Sequence, residues 1–125
     1  MLATKPAIAT VAVRDLAGAR DFYERVLGLS LIQTEGEEAL TFAAAGSSLI
    51  VYRSQYAGTN QATAVNWDVG SDIRAIVDAL NQKGVKFERY EMPGVQFEGD
   101  IHVWPGMRVA WFKDPDGNIH ALMGT

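Results

Sequence analysis

The feature that most constrains the fold of this sequence is an internal near-repeat of one strand, one amphipathic helix and three further strands. Residues 8–13 are rich in β-branched and small side chains, which predicts the opening strand. A helix is predicted to begin at Asp15 and to end at Gly28, because glycine readily adopts the left-handed backbone that follows many helices. Its buried face is predicted from apolar side chains at three- and four-residue steps: Leu16, Ala19, Phe22, Tyr23, Val26 and Leu27.

Three strands follow the first helix, and the second half then repeats the whole order of elements. The three strands are predicted over residues 29–34, 39–43 and 48–52. The second half opens with a strand at residues 65–69, and its helix begins at Ser71 or Asp72 and ends at Gly84. The distance from helix start to closing glycine is nearly equal in the two halves, at 13 and 12 residues. The remaining strands are predicted over residues 85–90, 101–104, 108–113 and 118–123, one more strand than follows the first helix.

This order predicts one α+β domain of two βαβββ modules, at about residues 7–53 and 64–124. The stretch 54–63 between them is rich in Ser, Gly, Asn, Gln and Thr, a composition typical of a linker. Residues 91–100 lack periodicity and are predicted to form a long loop. Each helix covers one face of its own sheet, and the other faces of two twisted sheets can close around a shared cavity. We therefore predict a paired, incompletely closed, eight-stranded barrel-like sheet around a ligand cleft.

Composition excludes several classes of function. The chain has 125 residues, no cysteine and a net charge of −4, so disulfides and thiolate metal sites are excluded. No basic stripe is visible, which argues against a nucleic-acid partner. No run of about 18 apolar residues is present, which argues against a membrane partner. The first residues lack the apolar core of a secretion signal, and we therefore predict a cytoplasmic protein.

Two motifs carry a resemblance to a known family. The first runs from Val13-Arg14-Asp15-Leu16 through Phe22-Tyr23 to Val26-Leu27-Gly28-Leu29, and the second is Trp111-Phe112-Lys113-Asp114-Pro115-Asp116-Gly117-Asn118. Together with the paired βαβββ order, they make the chain similar to the vicinal-oxygen-chelate superfamily, which contains glyoxalase I, bleomycin-resistance proteins and extradiol dioxygenases. The resemblance covers nearly the whole chain and implies the paired-module fold.

The resemblance also implies a divalent metal, held by His and Glu side chains at four positions. Those positions fall here at Ile8, near Ile50, near Ala64 and at Ala121. An aliphatic side chain has no lone pair to donate, so no conventional metal site remains. We therefore predict no metal and no other cofactor.

Two histidines remain, His102 and His120. Strand alternation predicts that His120 faces away from Ala121, and the predicted hairpin register places His102 on that same outer side. One interpretation is that both are hydrogen-bonded structural or surface histidines. The alternative is a displaced metal or acid–base site, since histidine is the residue type most often used for such chemistry.

In the family that the chain resembles, certain strand positions point into the cavity. The corresponding residues here, together with the residues that alternate with them along each strand, form the candidate ligand site. Phe112 is predicted to join it by pairing near Ile119 across a tight turn at residues 114–117. The predicted wall is apolar with a few hydroxyl and amide groups, which is usual for a small-molecule pocket. Its members are Ile8, Thr10, Ser48, Ile50, Tyr52, Asn66, Phe112 and Ala121.

The leading functional hypothesis is a glyoxalase/bleomycin-resistance-like protein that binds a small organic molecule without a metal. The alternative is a lyase, isomerase or dioxygenase of the same superfamily that uses a non-standard metal site or none. A third is a structural or regulatory domain with no ligand. The resemblance further implies a homodimer, and the linker at residues 54–63 would permit exchange of modules between the two copies.

Overall fold

The computed structural model describes residues 1–125 and contains ten strands and two helices. The first half consists of β1 (Ala9–Val13), α1 (Leu16–Arg20), a π-helical segment (Asp21–Val26), β2 (Ser30–Glu35), β3 (Ala39–Ala44) and β4 (Ser47–Arg53). The second half consists of β5 (Thr63–Gly70), α2 (Ile73–Gln82), β6 (Phe87–Glu88), β7 (Gln96–Glu98), β8 (Ile101–Trp104), β9 (Met107–Lys113) and β10 (Ile119–Gly124). Neither helix is long and apolar enough to cross a membrane.

The chain divides into two compact units, each with one mixed sheet. The first unit comprises Met1–Gln61 and Asp114–Asn118, and its strands are ordered β1-β4-β3-β2. The second comprises Ala62–Lys113 and Ile119–Thr125, and its strands are ordered β5-β10-β9-β8-β7, with β6 paired to β9. In both units the opening strand pairs in parallel with the last strand, β1 with β4 and β5 with β10. The predicted α+β class and the repeated order are therefore confirmed.

The strand boundaries differ from the prediction mainly in the second unit. Ten strands form, whereas two βαβββ modules would have eight and the predicted strand ranges number nine. The tenth is β7, which arises inside the predicted loop at residues 91–100 by pairing with β8. The strand predicted over residues 85–90 is reduced to the two residues of β6. Within the predicted linker, Ala57 is fully buried in the first unit.

The first helix changes its geometry halfway. Its start is capped by the Asp15 carboxylate, which accepts a hydrogen bond from the Ala17 N–H at 3.1 Å. After Arg20 the backbone widens to π-helical geometry, and the Leu27 N–H donates to the Phe22 carbonyl at 2.9 Å. Tyr23 is fully buried in this geometry, whereas Phe22 is only half-buried. The predicted inner face is thus correct for Ala19, Tyr23 and Val26, and Leu16, Phe22 and Leu27 lie at its margins.

The second helix defines the two faces of the second sheet. It buries Ile73, Val77 and Leu80. A Cβ placed on Gly124 would lie 3.0 Å from the Cβ of Ile73, so position 124 of β10 points toward α2. Because neighbouring residues of a strand point to opposite faces, His120 shares the α2 face and Ala121 lies on the face without a helix. We call this second surface the helix-free face of the sheet.

The pairing of β9 with β10 corrects two predictions. The turn between them spans Asp114–Asn118, one residue more than predicted, and Phe112 pairs with His120 rather than with Ile119. A shift of one residue exchanges the two faces of a strand. Phe112 therefore lies on the α2 face, opposite to Ala121, and not in the predicted ligand wall.

The same one-residue shift changes the face of the sheet on which His102 lies. It pairs with Val109, which pairs in turn with Met123, and it therefore lies on the helix-free face with Ala121. The prediction that His102 and His120 share one side is wrong, whereas the prediction that His120 faces away from Ala121 is correct.

Candidate functional site

Four predicted wall residues share one face of the first unit's sheet. Thr10 pairs with Ile50 across β1 and β4, and Ser48 and Tyr52 alternate with Ile50 along β4. This is the face opposite the buried Val11, Leu49 and Val51. Tyr52 is 40% exposed. Ile8 immediately precedes β1 and is 45% exposed, so it stands at the end of this surface rather than within the sheet.

The two remaining predicted residues meet in the second unit. Asn66 on β5 pairs with Ala121 on β10, and Ala121 pairs with Trp111 on β9. All three lie on the helix-free face. Ala121 is buried, Trp111 is half-buried and Asn66 is exposed. The structure thus places Asn66 and Ala121 side by side on one face of the sheet.

An aromatic cluster on the same face was not singled out as a site from the sequence. The His102 ring lies 4.7 Å from the rings of both Phe97 and Trp111, measured between centroids. The rings of Tyr90 and Trp104 lie 6.1 and 6.2 Å from it. These aromatics come from β7, β8, β9 and the segment after β6, and only the register reveals that they converge. Each of the four is half-buried, so the cluster is partly accessible to a ligand.

Both ring nitrogens of His102 are engaged. Nε2 accepts a hydrogen bond from the Tyr90 N–H at 2.8 Å, which requires that the proton reside on Nδ1, and Nδ1 donates to the Val109 carbonyl at 3.2 Å. Burial lowers the pKa of His102, and hydrogen bonds to the backbone partly oppose that shift. His102 is therefore a neutral residue that is fixed within the cluster by its two hydrogen bonds, rather than a base directed at a ligand.

His120 plays a similar part on the opposite face. Its Nδ1 accepts a hydrogen bond from the Trp67 indole N–H at 3.0 Å. Its ring stacks on Phe112, with centroids 4.9 Å apart and planes 10° from parallel. Burial lowers the pKa of His120 to about 4, because a charged imidazolium is poorly solvated there.

The residues present do not fit the divalent metal that the resemblance implies. Ile8, Ile50, Ala64 and Ala121 offer no donor atom. No three side chains among His, Asp and Glu come close enough together to hold an ion elsewhere. No metal-assisted step can be derived from these side chains.

The second motif is a hydrogen-bonded turn within the first unit. Asp114 is buried, and its Oδ1 accepts from the N–H groups of Asp116 at 2.9 Å and Asn118 at 2.8 Å. Its Oδ2 accepts from the Tyr23 hydroxyl at 2.7 Å and from the Asn118 amide at 2.8 Å. Burial, together with the adjacent Asp114 charge, raises the pKa of Tyr23 far above its ordinary value. The network therefore ties the two motif segments together and leaves no reactive group exposed.

A depression of about 510 Å³ lies on the second unit, and its wall includes Asn66, the pairing partner of Ala121. The Asn66 amide nitrogen donates to the Met123 sulfur at 2.8 Å on its wall. The residues that line it are Asn66, Asp68, Gly106, Met107, Met123, Gly124 and Thr125. Asp68 pairs with Met123 in the sheet, just as Asn66 pairs with Ala121, so the depression continues the helix-free face.

Comparison with known proteins agrees with this architecture. A sequence model of the Glyoxalase/Bleomycin resistance protein/Dioxygenase superfamily matches residues 5–122. No curated protein matches the sequence significantly. A lactoylglutathione lyase from Agrobacterium tumefaciens superimposes with a TM-score of 0.74 at 15% identity, covering 97% of this chain and 93% of that one.

Two further solved structures show the same fold. A glyoxalase/bleomycin resistance protein/dioxygenase from Alicyclobacillus acidocaldarius gives a TM-score of 0.72 at 18% identity, covering 97% of this chain and 91% of the other. The fosfomycin resistance protein FosX from Mesorhizobium loti gives 0.70 at 12% identity, covering 100% and 94%. At such low identity these likenesses concern the fold alone.

Proposed function

The chain belongs to the Glyoxalase/Bleomycin resistance protein/Dioxygenase superfamily, and we propose that within it this protein binds a small organic molecule without a metal. We place the binding surface on the helix-free face of the second unit, around Ala121, Trp111 and Asn66. The observation that carries the proposal is that a family position for a metal-binding Glu is held here by Ala121, beside half-buried aromatic rings. Apolar and aromatic walls with a few polar groups are typical of ligand sites.

The chemistry of the remaining polar groups favours binding over catalysis. His102 uses both ring nitrogens within the protein, and His120 lies on the α2 face. Neither histidine is therefore aimed at a ligand on the helix-free face. The first unit offers a second candidate surface, formed by Thr10, Ser48, Ile50 and Tyr52 with Ile8 at its end.

A charge placed at Ala121 tests the binding surface. We expect Ala121→Glu to weaken binding of the neutral fluorescent probe N-phenyl-1-naphthylamine by about tenfold, because an unpaired buried carboxylate costs free energy or draws in water. Ala121→Ser is nearly isosteric and uncharged, and it should change the affinity far less. Ala17→Glu, which adds the same charge at an exposed position of α1, should have no effect. Equal affinities in all four proteins would place the ligand elsewhere.

The enzymatic alternative has its own test. A lyase, isomerase or dioxygenase with a non-standard site would carry about one Zn, Ni, Mn or Fe ion per chain after purification without a His tag. Elemental analysis tests the metal-dependent form of this alternative, and we expect no stoichiometric metal.

We also propose that the protein is a cytoplasmic homodimer. The support is the family resemblance, since members of this length commonly pair. Light scattering at micromolar concentration should give twice the monomer mass of 13.6 kDa, and a monomer mass would contradict the proposal.

A further inference from the structure

Asp68 is the only charged side chain in the depression beside Ala121. It lies on β5 two residues after Asn66 and is exposed on the helix-free face. No hydrogen bond or ion pair within the protein engages its carboxylate, whereas three of the six other acidic residues of this unit have a cationic partner. Glu88 pairs with Lys113, and Glu98 pairs with both Arg74 and Arg108. A negative charge is thus left available inside a concave surface.

The rest of the wall suits the apolar part of a ligand. Met107 and Met123 contribute two thioethers, which are flexible and polarisable and adapt to alkyl chains and aromatic rings. Met107 is 39% exposed, a large fraction for an apolar side chain. The Asn66 amide nitrogen is turned to the Met123 sulfur. Asn66 therefore has its carbonyl oxygen left as a hydrogen-bond acceptor.

Charge complementarity then selects one class of ligand. No Lys, Arg or His lines the depression, and the whole chain carries a net charge of −4. An anionic ligand would face an uncompensated carboxylate, whereas an ammonium group would gain an ion pair and an amide acceptor. A neutral ligand could donate a hydrogen bond but would gain no ion pair.

We propose that the depression binds an amphipathic organic amine, with its ammonium group at Asp68 and its apolar body against Met107 and Met123. This inference rests on the proposed function, because that function places an organic ligand on this face. It adds the chemical class of the ligand and the residue that selects it.

Three ligands that differ only in their head group test the inference: 4-phenylbutylamine, 4-phenyl-1-butanol and 4-phenylbutanoate. Each is titrated into the folded protein at pH 7 and low salt, and binding is followed by amide chemical shifts in NMR spectra. We expect the amine to bind at least tenfold more tightly than the acid, with the alcohol between them. Added salt should weaken only the amine, because screening acts on the ion pair.

Asp68→Asn removes the charge and keeps the shape. It should weaken binding of the amine by at least fivefold and leave the alcohol within twofold. The matched control is Asp72→Asn, an exposed acid of the same unit outside the depression, and it should change neither. Equal affinity for the three head groups, or an unchanged amine affinity in Asp68→Asn, would overturn the inference.

The outcomes also separate this inference from the proposed function. If the naphthylamine probe binds and responds to Ala121→Glu while the head groups are not distinguished, only the amine specificity fails. If neither the probe nor any of the three phenylbutyl ligands binds, both are overturned.

Discussion

Asp114 is the residue around which the second motif is organised. Its carboxylate accepts four hydrogen bonds, two from backbone N–H groups, one from the Tyr23 hydroxyl and one from the Asn118 amide. Asn118 also donates to the Ala12 carbonyl at 2.7 Å, and the Arg14 N–H donates to Asp116 at 3.1 Å. A buried carboxylate is stable only when such partners replace water. The motif is therefore explained by its hydrogen bonds, which stabilise the first unit.

The Tyr23 hydroxyl gives the most direct test of that network. Tyr23→Phe leaves the aromatic packing in place but removes one donor from a buried carboxylate. We expect the free energy of unfolding to fall by roughly 1–3 kcal/mol, measured by urea denaturation. The control is Tyr56→Phe, since Tyr56 is 68% exposed, and it should change stability by less than about 0.5 kcal/mol. Equal effects of the two substitutions would mean that the Tyr23 hydroxyl contributes nothing to the stability of the turn.

His120 should make stability depend on pH. Its pKa in the folded protein is about 4, against 6.5 for an unperturbed histidine, so the unfolded chain takes up the proton first as the pH falls. The stabilisation is complete above pH 6.5 and decreases as the pH falls toward 4, by at most about 1.4 kcal/mol per pH unit. Denaturation at pH 7.0, 6.0 and 5.0 measures this slope. In His120→Gln the slope should be shallower, and identical slopes would contradict a buried neutral His120.

The β9–β10 hairpin shows why the candidate site could be predicted only in part. Alternation correctly separated His120 from Ala121, because it needs only neighbouring residues. The residue with which Phe112 pairs depends on the length of the turn. The N–H groups of Asp116 and Asn118 donate to the Asp114 carboxylate, and the turn is one residue longer than predicted. Side-chain bonds of this kind leave no periodic signal. The aromatic cluster around His102 was missed for the same reason.

Two other elements were missed because their cause is not local. The three residues of β7 form a strand only by pairing with β8 across the turn at Gly99, which has a positive φ of 62°. The π-helical geometry of Asp21–Val26 has no counterpart in the apolar spacing, which reads as an ordinary α-helix. Helix starts at Asp15 and Asp72 and the repeated strand order were predictable, because caps and periodicity are properties of short segments.

Substitution by alanine is expected to have opposite effects at the two glycines that lack a positive φ, Gly124 and Gly18. At Gly124 a Cβ would meet the Gly70 carbonyl oxygen and two atoms of Ile73, all between β10, β5 and α2. Gly124→Ala should therefore destabilise the protein by roughly 1–3 kcal/mol through overpacking. At Gly18, inside α1, the nearest atom is the movable Asp15 carboxylate at 3.0 Å.

Gly18→Ala is the matched comparison. Alanine favours a helix over glycine by about 1 kcal/mol, so this variant should be neutral or more stable in the same urea melts. A stable Gly124→Ala variant would mean that α2 can move away from its sheet more readily than the close contact implies.

The repeated order of elements is the most informative part of the sequence. It predicted the α+β class and the order of strands and helices, which the structure and its structural likenesses bear out. Those likenesses hold at 15% and 18% identity, so the fold depends on the pattern of buried positions more than on particular side chains. Ligand chemistry depends on particular side chains, and the fold alone therefore implies no specific substrate.

Under the proposed function, this member of the superfamily binds its ligand without a metal. The most direct test is a fluorescence titration of N-phenyl-1-naphthylamine into two samples of the protein. Both samples are dialysed exhaustively against EDTA. One of them is then supplied with Zn²⁺, Ni²⁺ or Mn²⁺ and freed of excess ion. Because Ile8, Ile50, Ala64 and Ala121 supply no metal ligand, the two affinities should agree within about twofold. Loss of binding on dialysis, with recovery when one of these ions is added, would contradict metal-free binding.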